Sequence, residues 1–172
     1  MNVFEAIKNR FSVRSYKSNP VSQEKLEKIL EAVRLAPSAH NSQNWKFIVV
    51  KSEEQKAELA KAATQDFINQ APIIIVGVAT DADQLMTSGV PAGAVNLSIA
   101  LTHLILEATE EGLGTCWVGA FDQEKVKKIL NIPAEKKYQV VALIPLGYSA
   151  ENPSKKIRKQ LKEIICNEKF NK

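Results

Sequence analysis

Three segments of this chain carry residue types whose spacing suits the binding of an anion or a flat heterocycle. The first is Arg10-Phe-Ser-Val-Arg14. On an extended backbone alternate side chains share a face, so Arg10, Ser12 and Arg14 would point the same way. Two guanidiniums flanking a hydroxyl make an anion cradle, because arginine donates to phosphate oxygens in a planar fork. A solvated strand following a helix would account for the same residues. The second segment is Pro37-Ser-Ala-His-Asn-Ser-Gln-Asn-Trp45. Asn41 and Gln43 can each donate and accept hydrogen bonds, which suits the polar edge of a heterocycle. A plain loop rich in turn formers has the same composition.

The third segment is Gly112-Leu-Gly-Thr-Cys-Trp-Val-Gly-Ala-Phe121. Its glycines would let the backbone approach a flat ligand and offer it N–H groups. It is neither a GxGxxG dinucleotide fingerprint nor a P-loop, since no Gly-Lys-Ser/Thr follows. A helix that ends on Gly112 and passes into a strand explains it without any ligand. A basic cluster near the C-terminus (Lys155, Lys156, Arg158, Lys159, Lys162) reads as a solvated helix face, one or two of whose members are available to a phosphate.

These segments need elements to hold them. A short helix is expected at residues 2–8. Ser22 caps an amphipathic helix whose Leu26, Ile29, Leu30 and Val33 form one stripe, and Pro37 stops it. Residues 46–50 read as a strand. Ser52 and Gln55 predict a capping box for the helix that follows. Residues 73–79 are apolar without alternation, the pattern of a strand covered on both faces. Residues 80–91 are polar and irregular, as in an exposed loop. The helix expected at 94–110 is apolar nearly all round and should be buried on several sides, in the core and against a partner subunit. A short strand follows at 115–119, then a helix capped by Asp122, a strand at 140–146, and a last helix capped by Ser154 with Ile157, Leu161, Ile164 and Ile165 inward. This irregular alternation favours an α+β or three-layer α/β fold over an all-α or all-β one.

The chain has 172 residues, 45% hydrophobic and 24% charged, which points to a single globular domain able to bury a core without disulfides. No apolar run approaches the roughly 20 residues that cross a bilayer, and the charged N-terminus lacks a signal-peptide core. A cytoplasmic location is the expectation. Cys116 and Cys166 read as free thiols, and with His40 and His103 they have no metal-ligand spacing, so no metal is expected. A net charge of +4 without a recognition module argues against nucleic acid as the partner.

Taken together, the RxSxR segment, the PSxxNxQxW loop, the GLGTCWVGAFD stretch and the ending Lys156-Ile-Arg158-Lys-Gln-Leu161-Lys-Glu163 resemble the FMN-dependent nitroreductase-like oxidoreductases. The motifs occur in the family's order from residue 4 to about residue 170.

The resemblance implies an α+β three-layer sandwich in which helices flank a central mixed, mostly antiparallel sheet. It implies a homodimer whose termini wrap the partner, residues from about 150 to 172 forming the embracing extension. It implies two FMN molecules at the dimer interface. Arg10 and Ser12 would hold the phosphate and ribityl end, Arg14 would lie near flavin N1 and O2, and Lys156 and Arg158 would complete the phosphate site. Pro37, Ser38, Asn41 and Gln43 would touch the ring or ribityl chain, some of them from the opposite subunit. Backbone at Gly119 and Ala120 would reach the N5 edge. No side chain is implied as the catalyst. The implied activity passes a hydride from NAD(P)H through FMN to a small electron-poor acceptor, a nitroaromatic or a quinone, by a ping-pong scheme. Other flavin chemistry, such as dehalogenation or flavin breakdown, or flavin binding without turnover, are the alternatives.

Two positions depart from the family pattern. Asn44 stands where proline is common, and Asn96 stands where many members have aspartate. The connection between residues 79 and 96 is also brief, which should leave the flavin open and the acceptor poorly specified.

Overall fold

The unbroken apolar run becomes the central strand β2 (Ile73–Ala79), and all 7 of its residues are buried. The structure, a computed structural model, describes residues 1–153 and 156–171. Strand β2 lies between β1 (Trp45–Val50) and β4 (Gln139–Gly147), and the short β3 (Gly114–Thr115) pairs with the far side of β4. All of these pairings are antiparallel. Among the described residues the one parallel element is a bridge between Ser12 and Thr115, which makes the sheet mixed at that edge.

Helices cover both faces. Ile73, Ile75 and Ala79 of β2 pack with Ala142, Ile144 and Leu146 of β4 against α2 (Gln23–Arg34) and α4 (Ala92–Glu110). Ile74, Val76 and Val78, on the opposite face, meet α3 (Glu53–Ala63) and α5 (Gln123–Ile129). Successive residues of a strand point to opposite sides, so a strand between two helical layers must be apolar at every position. The result is the expected three-layer α+β sandwich.

Helix α4 is the core helix, with Leu97, Leu101 and Leu104 at 0% exposure. Its 19 residues are long and apolar enough to cross a membrane by length and composition, contrary to the reading of the sequence. Half of that stretch is buried inside the protein, against the sheet and α2. It begins at Ala92, two residues earlier than the apolar stripe indicates. The first helix, α1 (Val3–Asn9), has a full capping box: Asn2 accepts from the Glu5 N–H, and Glu5 accepts from the Asn2 N–H, each at 2.9 Å. At α3 only half of the expected box forms, the Ser52 hydroxyl accepting from the Gln55 N–H. Ser22 and Asp122 cap α2 and α5 as expected.

Two expected elements are different. The strand at 115–119 shrinks to Gly114–Thr115, and beyond it only Val118 bridges to Leu143. The last helix is absent among the described residues. Residues 156–160 are non-helical, and a single 3-10 turn spans Leu161–Glu163; Ser154, the expected cap, lies outside the described residues. Ile157, Leu161, Ile164 and Ile165, expected to face inward, are 86%, 72%, 61% and 54% exposed. A helix of this length is marginal in water without a surface on which to bury its stripe, and among the described residues the stripe has none.

Candidate functional site

The first segment lies alongside β3. The Val13 N–H donates to Thr115 O at 2.9 Å, and Tyr16 bridges to Ser149, so the segment extends the sheet edge. Alternation does the rest. Val13 is fully buried while Arg10 and Ser12, on the other side, are half-buried and Arg14 is exposed. The Tyr16 hydroxyl, within reach of the carbonyls of Val13 (3.0 Å) and Pro145 (3.2 Å), ties this segment to β4.

The C-terminal tail returns to the same place. Arg10, Phe11, Ser12, Arg14, Lys156, Ile157 and Arg158 line one cleft of about 300 Å³. Among the described residues its lining holds four cationic side chains and no carboxylate. The Lys156 ammonium donates to the Lys8 carbonyl, at the C-terminal end of α1. Partial burial pushes Lys156 below the usual lysine range, and the nearby charges of Arg10 and Arg158 push it the same way. Like charges held together are unfavourable by themselves, and an anion among them removes the penalty. Behind the cleft, burial pushes the Cys116 thiol up, against the opposing pull of Arg14, Ser12 and Arg10. A buried neutral thiol is a packing group rather than a nucleophile.

The second segment is a constrained loop. A 3-10 turn covers Ala39–Asn41, and His40, Asn41 and Gln43 have left-handed backbones with φ of 55°, 53° and 46°. The Ser38 hydroxyl accepts from the Gln43 N–H at 3.0 Å. The Gln43 side-chain amide donates to both the carbonyl and the Oδ1 of Asn41, each at 3.2 Å. Asn96, 1% exposed, reaches into this loop from α4. The sequence marks Asn96 only as a departure from a pattern. The signal for its structural part was present nonetheless: a lone amide inside the most apolar helix must find partners.

The third segment divides its glycines differently from expectation. Gly112, with φ 73°, ends α4, its N–H donating to Thr109 O while Leu113 N–H donates to Ala108 O. Gly114 accommodates Val13 rather than a ligand. Gly119 and Ala120 are exposed, and the Ala120 carbonyl accepts from the Gln65 side-chain amide at 3.4 Å.

One chain thus gathers Arg10, Ser12, Arg14, Lys156 and Arg158. Pro37, Ser38, Asn41 and Gln43, and likewise Gly119 and Ala120, lie outside the lining of that cleft. The gathered residues fit a phosphate, with convergent cations and a hydroxyl; the Glu151 carboxylate, beside them, accepts from the Arg14 backbone N–H at 2.5 Å.

The sequence model of the nitroreductase family matches residues 7–67 and 60–148. An NADH dehydrogenase of Thermus thermophilus is 32% identical over 192 residues, covering 93% of this chain and 92% of that protein. An FMN reductase (NAD(P)H) of Bacillus subtilis is 31% identical over 174 residues, covering 91% of this chain and 69% of that protein. The solved structure of an FMN-dependent nitroreductase from Clostridium difficile superimposes with a TM-score of 0.83 at 31% identity, covering 97% of this chain and 99% of that one. With this fold, these motifs and this extent of similarity, the chain belongs to the nitroreductase family.

Proposed function

We propose that the protein is an FMN-dependent NAD(P)H oxidoreductase that works as a cytoplasmic homodimer, the whole chain forming one domain. The observation that carries the reading is the convergence of Arg10 and Arg14 from one end of the chain with Lys156 and Arg158 from the other. A flavin phosphate is largely dianionic at neutral pH, and four cations beside a hydroxyl answer that charge. Arg10, Ser12, Lys156 and Arg158 hold the phosphate and ribityl end. Arg14 is assigned to the N1 and O2 edge of the ring, where a fixed cation favours the reduced form. Bound FMN supplies hydride exchange at N5 between a nicotinamide and an electron-poor acceptor such as a nitroaromatic or a quinone.

Pro37, Ser38, Asn41 and Gln43 are assigned to the ring and ribityl chain, and the backbone of Gly119 and Ala120 to the N5 edge. Because these residues lie outside the cation cleft of their own chain, a second copy is the natural source of some of them. Exposed apolar side chains support that copy. Val3, Phe4 and Ile7 on α1 are 72%, 68% and 52% exposed, and the tail adds Ile157, Leu161 and Ile164. So much uncovered apolar surface at both termini suits an interface. In this reading the tail from about residue 150 embraces the partner.

The test is uptake of FMN by the purified protein, followed by anaerobic mixing with NADH and with NADPH. One FMN per chain, bleached by a nicotinamide and reoxidised by a member of an acceptor panel, is the expected result. No stoichiometric uptake overturns the reading. Tight uptake without bleaching by either nicotinamide would favour flavin binding without NAD(P)H turnover.

A further inference from the structure

We propose that Asn96 is a positioning residue for the loop at Ser38–Gln43, acting in part through Asn44. The inference rests on the reading that this loop faces the flavin. Asn96 stands in the early part of α4, the most deeply buried helix, and is itself 1% exposed. Its Oδ1 accepts from the Ala39 N–H at 2.9 Å. Its Nδ2 donates to Asn44 Oδ1 at 3.0 Å and to the Ser42 hydroxyl at 3.3 Å. Both amide protons and the carbonyl are therefore engaged, and all three partners belong to one loop.

Those partners bracket the strained residues. His40, Asn41 and Gln43 adopt left-handed backbones without being glycine. Such conformations persist only where the surroundings over-determine them. Asn96 grips the loop before them at Ala39, between them at Ser42 and after them at Asn44. Asn44 passes the constraint outward, its Nδ2 donating to Gln84 Oε1 at 3.3 Å. The Asn41 and Gln43 side chains contact each other and depend on this backbone for their orientation. An aspartate at position 96 would keep an acceptor for the Ala39 N–H but require the Ser42 hydroxyl and the Asn44 amide to turn and donate, and an apolar side chain leaves the Ala39 N–H unanswered.

The experiment compares the parent protein with Asn96→Ala, Asn44→Ala and the double variant. Asn44 is a half-buried loop residue, so its replacement leaves the core intact. The readouts are the FMN dissociation constant, the visible circular dichroism of bound flavin, and amide exchange at Ala39 in the flavin-free protein. For Asn96→Ala we expect the dissociation constant to rise about tenfold, as when a loosened loop gives up one hydrogen bond to the flavin. We also expect an altered flavin dichroism, which loss of general stability would not produce, and faster exchange at Ala39. The double variant should bind FMN no more weakly than Asn96→Ala alone. Parental affinity, dichroism and Ala39 exchange in Asn96→Ala overturn the proposal, and fully additive losses overturn the action through Asn44. If the parent takes up no FMN, the functional reading fails separately. Ala39 exchange then decides the clamp: faster exchange in Asn96→Ala supports it and unchanged exchange overturns it.

Discussion

A β-carbon placed on Gly114 would stand 2.5 Å from Cγ2 of Val13. That contact joins two segments which the sequence offers separately, since Val13 is the buried residue between Ser12 and Arg14. Gly114→Ala must push the first segment off the sheet edge. We expect a loss of about 1–3 kcal/mol in denaturant unfolding, as for an overpacked core, together with weaker FMN binding. Gly112→Ala is the control. Its φ of 73° makes alanine strained, with nothing within 4 Å to displace. It should cost about 1 kcal/mol and leave flavin affinity unchanged. Equal flavin affinity in Gly114→Ala would disconnect Val13 from the site.

Removing one cation from the cleft should weaken FMN binding by roughly tenfold to a hundredfold, the range of a charge-assisted hydrogen bond. Arg10→Ala, Lys156→Ala and Arg158→Ala are the variants, and equilibrium dialysis is the measurement. Added salt should weaken flavin retention in the parent and do so less steeply in each variant, because fewer charges remain to be screened. Arg14→Ala should lower the flavin potential or its affinity. A variant with both unchanged would remove Arg14 from the site.

Tyr16 predicts a dependence on alkaline pH. Burial pushes its phenol far above the ordinary value, with Cys116 and Glu151 adding to the shift and Arg14 opposing it. The folded state therefore retains a proton that the unfolded chain releases near pH 10. The contribution of Tyr16 is fully present below about pH 10 and declines above it by about 1.4 kcal/mol per pH unit. Tyr16→Phe should lose about 1 kcal/mol at neutral pH. The gap between parent and variant should then shrink and reverse as the pH climbs past 10. A constant gap across that range in chemical denaturation would argue that the phenol is solvated.

Charging the exposed apolar ends tests the second copy. Phe4→Asp on α1 and Ile164→Asp in the tail replace side chains that are 68% and 61% exposed, so neither should disturb the core. Sedimentation is expected to find the parent as a dimer and at least one variant shifted to monomer with reduced flavin content. A parent that sediments as a monomer with flavin bound would contradict the shared site.

Much of the architecture was legible in the residues themselves, because exclusion from water imposes local periods. Strand β2 has no alternation because helices cover both faces, and Leu26, Ile29 and Val33 recur on one face of α2 because that face alone is buried. Ser22 and Asp122 mark helix starts for an equally local reason: each side chain answers an N–H three residues on. The tail differs from the expected helix because its helical period is real while, among the described residues, no apolar surface of its own chain covers the stripe.

Local periodicity carries no information about which distant segments meet, and there tertiary structure decided. Lys156 reaches a carbonyl 148 residues away, Gly114 proves to be space for Val13, and the two unusual asparagines, 44 and 96, turn out to be hydrogen-bonded to each other. The sequence by itself determined which charges, caps and buried faces the protein possesses. Closing the chain into three layers determined that cations from its two ends share one cleft, because only the packed sheet edge brings residues 10–14 alongside Thr115 and within reach of the returning tail.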